Sequence, residues 1–351
     1  ALDKLGQAGV LAFNVSLHGG ELTTLPEIVL DKLFTLVGDY YRGHFDAINA
    51  LGHRKSAPHI KTNLYRFAPL YDLFDRHRVS ISASIDLPLA LHERYRTTRG
   101  GRGWLKKTQD NLRLLARYPH AKKMSATLSR EHLKHIPAII EDIRFIHEEL
   151  GFDMNQFNLM FAFDSAFNRA HHGKAALEPA TATQQLELYA ALKEAFAVSA
   201  LGDGLRRHWF DEFTPSYCTN ALNCGERFYL LQSDGNVYSC VRGQGIEDFH
   251  YGNIFNDSVD TILANGARKI ELMHRAQGFD AACQSCVHLA RCHTGCPVVK
   301  FQRGSGRSYT CELQQAIYAD YPCSYPPATT EQQRHDAQAY RNAMHPQTVF
   351  G

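Results

Sequence analysis

The sequence predicts an α/β fold with a smaller cysteine-rich part behind it. Two observations predict this: strand-like and helix-like segments alternate from about residue 11 to residue 200, and the first of nine cysteines is Cys218. Repeated strand–helix units imply a parallel sheet, closed or open. A chain of 351 residues, 44% of them hydrophobic, can bury one large core or two smaller ones.

Residues 11–17 form a short apolar run ending in His18-Gly19-Gly20-Glu21, the pattern of a buried strand entering a tight turn. Paired glycines let a ligand approach the backbone, although a plain turn also accounts for them. Residues 26–41 carry Ile28, Val29, Leu33, Phe34 and Val37 at helical spacing, with Pro26 in the first turn. Residues 60–63 are a strand end closing on Thr62-Asn63, followed by a helix over 69–77 and a strand over 79–85. Alternation puts Ser82, Ser84 and Asp86 on one face of that strand, the face that would carry chemistry. The next elements are a helix over 107–118, a strand over 123–128 and a long helix over 131–150 kinked at Pro137. A strand over 157–163 and a helix over 182–200 complete the series.

Residues 164–181 and 203–217 are rich in polar residues, Gly and Pro, so the first domain is expected to span 1–205. The cysteine-rich domain then takes 206–326, and a polar, peripheral tail takes 327–351. Within the second domain, residues 228–231 and 237–240 read as strands joined at Asp234-Gly235, a hairpin signal, and a helix follows near residue 259. His171 and His172 read as solvated loop residues rather than ligands.

Cys283, Cys286, Cys292 and Cys296 lie in one Gly- and His-punctuated stretch, with gaps of two, five and three residues. Two residues between thiols let the chain curl around one bound group. With Cys218, Cys224, Cys240 and Cys311 the set reaches eight, enough for two four-thiolate sites, and Cys323 is left over. Buried free thiols and a disulfide framework are the competing readings. Lone core cysteines do not cluster at ligand spacing, and an odd count in a chain this long gives little need of disulfide staples. Spacing alone does not separate zinc from iron–sulfur clusters.

The order Cys224, ten residues, Gly235, four residues, Cys240, then the 283–296 stretch and Cys311 resembles the SPASM domain, the auxiliary-cluster module of radical S-adenosylmethionine (SAM) enzymes that modify peptides and proteins. The resemblance implies a partial (β/α)6 TIM-like barrel of radical SAM type, then a small α+β SPASM domain. It implies one 4Fe-4S cluster on Cys218, Cys224, Cys240 and Cys296, and a second on Cys283, Cys286, Cys292 and Cys311. Gly19-Gly20-Glu21 resembles the motif that receives the methionine amino group of SAM, with Leu22 where the family usually has Pro. Ser84-Ile85-Asp86 resembles the fourth-strand Ser-x-Asp motif, with Leu87 in place of Gly but Pro88, His92 and Arg96 where the family has them. Ser84 would then contact the methionine end and Arg96 its carboxylate, a bond suited to a guanidinium, unless Arg96 is only a solvated helix charge. Thr62-Asn63 resembles the third-strand Thr-Asn motif, or is a strand cap.

The family's SAM cluster needs C-x-x-x-C-x-x-C, which is absent from these residues, so an upstream segment carrying that third cluster is expected in the full-length protein. Within the family, sulfatase-maturating enzymes place an Asp after the third ligand of the first auxiliary cluster. Val241 and Arg242 follow Cys240 here, which favours a maturase of a ribosomal peptide, forming a cross-link or an epimer, over formylglycine formation. Cys323 is a spare buried thiol or, in an epimerase, a hydrogen donor. No catalytic acid or base is identified. The rival from another class is a non-enzymatic, metal-bound peptide-binding module.

Net charge is +2 with histidines neutral, so no global field recruits nucleic acid or an acidic membrane. No apolar run reaches the roughly 18 residues of a membrane span, and residues 1–10 show no export signal. A cytoplasmic protein is expected. Its partners would be a peptide or protein substrate and an electron donor such as flavodoxin or ferredoxin, with neither nucleic acid nor membrane.

Overall fold

The computed structural model describes residues 1–98, 100–163 and 178–346, and His171 and His172 lie outside them. The chain divides into two compact units, one of residues 10–161 and 190–210, the other of residues 1–9, 162–189 and 211–351.

The first unit is built on five parallel strands in chain order: β1 (Ser16–Leu17), β2 (His59–Thr62), β3 (Ser80–Ile85), β4 (Lys122–Leu128) and β5 (Phe157–Phe161). Their register sorts the side chains onto two unlike faces. Ile60, Ile81, Ala83, Ile85, Met124, Ala126, Leu128, Leu159 and Phe161 share one face and are buried. The other face is polar: Ser16 and His59 align with Ser80, Lys61 with Ser82 and Lys123, and Ser84 with Ser125 and Asn158. Period-2 alternation is what a sheet with one face on a packed core and one on a site requires.

Residues 11–17 pair as a strand only at Ser16–Leu17. Leu11, Phe13, Val15 and Leu17 do alternate onto one side, against Val37, Tyr41 and Ile48. The backbone before Ser16, however, bonds to tyrosine hydroxyls rather than to a neighbouring strand: Ala12 N–H donates to Tyr40 and Val15 N–H to Tyr41. The helix Glu27–Gly43 starts on Pro26. Pro137 does not kink a long helix. A short 3-10 turn, His132–His135, precedes a new helix, Ile136–Glu148, with Pro137 in its first turn, where its missing N–H is no loss. The helix expected to reach residue 200 ends at Phe196.

The first unit runs five residues past the expected boundary at 205, to Phe210. Trp209 holds it there: fully buried, it donates Nε1–H to Met154 O at 2.7 Å, and its carbonyl accepts from Leu159 N.

The second unit carries a small antiparallel sheet: β6 (Leu230–Leu231), β7 (Asn236–Tyr238) and β8 (His250–Asn253). The first two are the expected hairpin, and β8 is a strand that residues 252–254 did not announce. Helices Val259–Gln277, Pro297–Arg303, Cys311–Asp320 and Thr330–Met344 follow it in sequence. The last corrects the reading of 327–351 as a peripheral tail. Ala337, Tyr340 and Met344 make a single apolar stripe on a polar helix and bury against Cys283 and Leu289. Among the described residues no helix is long and apolar enough to cross a membrane.

Tyr118 is buried, and its hydroxyl is shared between the carbonyls of Phe74 (2.9 Å) and Val79 (2.8 Å), closing the corner that feeds β3. Tyr118→Phe removes the hydroxyl donor, leaving Phe74 O with only the Val79 N–H (2.9 Å), so we expect a loss of about 1–3 kcal/mol, read as a lower urea midpoint by far-UV circular dichroism.

Candidate functional site

Two groupings of polar and thiol side chains stand out, one in each unit. The first lies where the parallel strands end, the usual place for ligands in such sheets. Gly19 and Gly20 are exposed, with open space where their Cβ atoms would project. Glu21 turns inward from that bend. Its Oε1 accepts from Thr23 Oγ1 (2.7 Å), Thr62 Oγ1 (2.8 Å) and Thr23 N (3.3 Å), while Oε2 accepts from Asn63 N at 2.7 Å. The bend after β1 and the end of β2 are therefore one hydrogen-bonded piece. Arg66 closes it by donating to Thr23 O at 2.7 Å. Asn63 uses its Oδ1 to cap Tyr65 N at 2.9 Å, the strand-cap role weighed above.

At the end of β3, Arg96 does not stand free on its helix. It forks onto Asp86, Nε to Oδ2 at 2.6 Å and Nη2 to Oδ1 at 3.5 Å, a planar pairing of guanidinium and carboxylate. Fully buried His92 sits beneath them, with Asp86 N donating to Nδ1 (3.2 Å) and Nε2 facing Thr108 Oγ1 (3.1 Å). Burial, then the Arg96 charge, lowers its pKa to about 4, so the ring is neutral and acts as a strut. Ser84 is half-buried on the polar face, opposite Ser125. The structure thus ties Glu21 to Asn63 and Asp86 to Arg96. Among the described residues, no hydrogen bond joins the two pairs.

The second grouping holds the eight thiols. All nine cysteines are free, and Cys323 is exposed rather than buried. Cys283, Cys286, Cys292 and Cys311 line one pocket of about 350 Å³ of empty volume, its mouth included, together with Thr294 and Ser308. The other four feel one another's charge. Burial pushes Cys218 up to about 12, and Cys296 and Cys240 add to it; Cys224 is raised by burial, then by Cys296, Cys240 and Cys218. Cys240 is raised by burial, then by Cys296. In the pocket set, burial and then Cys311 push Cys283 up to about 12, and burial followed by Glu312 pushes Cys311 up to about 11. Burial, then Cys311, Cys283 and Cys286, raises Cys292.

Local backbone explains how neighbours in sequence serve different sets. His293, Thr294 and Gly295 have φ of 46°, 67° and 86°, three consecutive left-handed residues that reverse the chain between Cys292 and Cys296. Gly295 must be glycine twice over, since a Cβ would lie 2.6 Å from Ser308 Cβ. Gly225, next to Cys224, packs so closely on the helix Val259–Gln277 that a Cβ would stand 2.1 Å from Gly266 O. Beside the first set, Arg242 pairs with buried Glu212 at 3.1 Å and lies 5.4 Å over the Phe163 ring. Sequence reading passed over Glu212, although an acid inside Trp-Phe-Asp-Glu-Phe is a signal of burial.

Among the described residues, no three His, Cys, Asp or Glu side chains close on a point as a single ion requires. Thiols ranged around a pocket suit a wider, polynuclear group better than a tetrahedral zinc.

Residues 218–287 match the family model of SPASM, the iron-sulfur cluster-binding domain. A serine-type anaerobic sulfatase-maturating enzyme of Bacteroides thetaiotaomicron is 25% identical over 114 residues, which span 31% of this chain and 27% of that relative. Native anSMEcpe with bound AdoMet superposes with a TM-score of 0.64 at 16% identity, covering 92% of this chain and 83% of that one. Streptococcus suis SuiB bound to S-adenosylmethionine gives 0.57 at 15% identity, covering 88% and 68%. Residues 218–287 match a SPASM domain, and the chain has the fold of anSMEcpe and SuiB.

Two measurements check this geometry. His92 takes up its proton only near pH 4 when folded but near 6.5 when unfolded, so its contribution to stability is complete above pH 6.5 and is lost as pH falls towards 4. His92→Gln should flatten the dependence of the urea midpoint on pH over that window. In metal-free protein, Cys323 should be the one fast-reacting thiol towards a disulfide reagent at pH 7, because it is exposed while the other eight are buried or half-buried. Cys323→Ser should then abolish the fast phase.

Proposed function

We propose that the protein is a radical SAM maturase of a peptide or protein, with two auxiliary 4Fe-4S clusters in its second unit. One would rest on Cys218, Cys224, Cys240 and Cys296, the other on Cys283, Cys286, Cys292 and Cys311. The observation that carries the reading is a pocket lined by Cys283, Cys286, Cys292 and Cys311, with Cys296, Cys240 and Cys218 acting electrostatically on Cys224. With SAM and a third cluster bound, such an enzyme is supplied with a 5'-deoxyadenosyl radical that takes a hydrogen atom from substrate. The three-cysteine loop for that cluster is required by the reading and is not among these residues.

This chain's part is to hold and orient. Glu21 Oε2 accepts one protein bond and keeps room to accept from an ammonium, beside the open backbone of Gly19 and Gly20. Ser84 offers a hydroxyl on the polar face, and Asn63 keeps its amide donors for a ligand while its oxygen caps the strand. Asp86 holds Arg96 in a fixed orientation, so that the guanidinium edge not used by Asp86 can meet a carboxylate. A peptide substrate, a flavodoxin or ferredoxin as electron donor, and a cytoplasmic setting complete the proposal. Structures of anSMEcpe with bound peptides support a peptide as substrate.

Two products compete. The similarity to sulfatase-maturating enzymes favours formylglycine formation. Arg242 and Val241, in place of a carboxylate after Cys240, favour a cross-link or an epimer in a ribosomal peptide, because a guanidinium cannot serve as a base. Cys323 is exposed and belongs to neither four, so it is a spare thiol or, in an epimerase, a hydrogen donor.

The test is an anaerobic count of iron, acid-labile sulfide and zinc. About eight irons per chain are expected, with Cys240→Ala and Cys292→Ala each removing about half. Zinc in their place would leave the peptide-binding module standing. Product mass from candidate peptides, with SAM, reductant and full-length protein, then separates formylglycine from cross-link.

A further inference from the structure

We propose that Lys300 is a counter-charge shared by the two thiol sets, a positioning residue whose ammonium makes the groups bound there easier to reduce. The inference rests on reading the thiols as cluster ligands. Lys300 lies in the helix Pro297–Arg303, which starts on Cys296, and its N–H bonds back to Cys296 O at 3.0 Å, so it sits one turn above a thiol of the first set. Its side chain reaches the other way. Nζ donates to Thr294 Oγ1 at 2.5 Å, and Thr294 lines the pocket of the second set.

The surroundings of this ammonium are neutral. Nζ also meets His274 Nδ1 at 2.9 Å, and Tyr340 Oη joins the cluster at 2.8 Å from Thr294 Oγ1 and 3.0 Å from His274 Nδ1. Lys300 is 1% exposed, and Thr294, His274 and Tyr340 are no more than 2% exposed. Among the described residues no carboxylate pairs with it. Burying a cation without a counter-ion costs several kcal/mol, and an uncharged side chain such as leucine or methionine at this buried position would carry no such cost. Burial lowers the Lys300 pKa to about 8, and Cys283, Cys292 and Cys296, thiols of both sets, would act against that when ionised, keeping the ammonium charged. A fixed cation at that junction offsets the negative charge of thiolate-bound clusters. It favours the reduced form, in which each cluster has gained one electron from an external reductant, without itself giving up a proton.

The experiment is an EPR-monitored redox titration with dithionite on this chain, reconstituted anaerobically, beside Lys300→Met, Lys300→Gln and Lys300→Arg, with iron counted in each. Both neutral variants should keep their iron and be harder to reduce by about tenfold in equilibrium constant, about 59 mV for a one-electron couple, and Lys300→Arg should stay near wild type. Loss of iron in both neutral variants but not in Lys300→Arg would equally support the charge. Unchanged potentials at full iron would overturn the proposal, as would loss of iron in all three variants, which would mark Lys300 as a packing residue. Wild-type chain that binds no iron would remove the cluster reading itself, before any variant is compared.

Discussion

Eight thiols gathered inside a small unit pose a desolvation problem, and much of the second unit follows from how it is met. Burial raises Cys218, Cys224, Cys240, Cys283, Cys292 and Cys311, so without a bound group these thiols stay protonated and neutral. Thiolate ligation reverses that. The low-dielectric surroundings that hold the protons on then penalise every negative charge, and fixed cations become necessary. Cys296 and Cys218 act electrostatically on Arg242, and Lys300, one turn after Cys296, reaches Thr294 in the lining of the pocket set.

The backbone serves the same end. Cys224 opens a 3-10 turn, Cys296 caps a helix N-terminus and Cys311 begins one. Thiols at helix starts lie near unpaired N–H groups that would meet negative charge on them. The helix Thr330–Met344 then covers the back of Cys283 and Leu289 with three apolar residues, which closes the pocket set off from water on that side. In the other unit a different economy holds. The apolar face of the parallel sheet needs no polar compensation, and the polar face collects Ser80, Ser82, Ser84, Ser125 and Asn158 in register, ending in carboxylates already tied to their partners.

Elements with a strong period were legible in the sequence. The helix Glu27–Gly43 and strands β3 and β4 fall within a residue or two of their expected bounds, because alternation and helical spacing reflect burial directly. Failures came where one residue's partner lies far away in sequence. Residues 11–15 look like strand but bond to Tyr40 and Tyr41, and residues 327–351 look peripheral because only three apolar residues, Ala337, Tyr340 and Met344, mark the buried stripe. Pro137 reads equally as kink and as first turn until the chain before it is seen to be a 3-10 turn. In the site, thiol positions were legible from spacing. The ion pairs Asp86 with Arg96 and Glu212 with Arg242 were not, since neither partner is set by local pattern.

The pair after Cys240 also constrains chemistry. Arg242 is locked to Glu212, whose carboxyl burial pushes up while the guanidinium pulls it back, and one of its oxygens has no donor in the structure. A guanidinium holds its charge at any working pH, so the flank of the first thiol set offers a permanent cation where a carboxylate base would offer a proton acceptor. Glu212 cannot readily take over that duty, because protonating it would strand Arg242 as a buried charge without its partner. A reaction on this scaffold that needs a base beside the first set must therefore draw it from the substrate or from elsewhere in the chain. If the thiols hold clusters as proposed, Arg242 and Lys300 would be the cations that offset their charge.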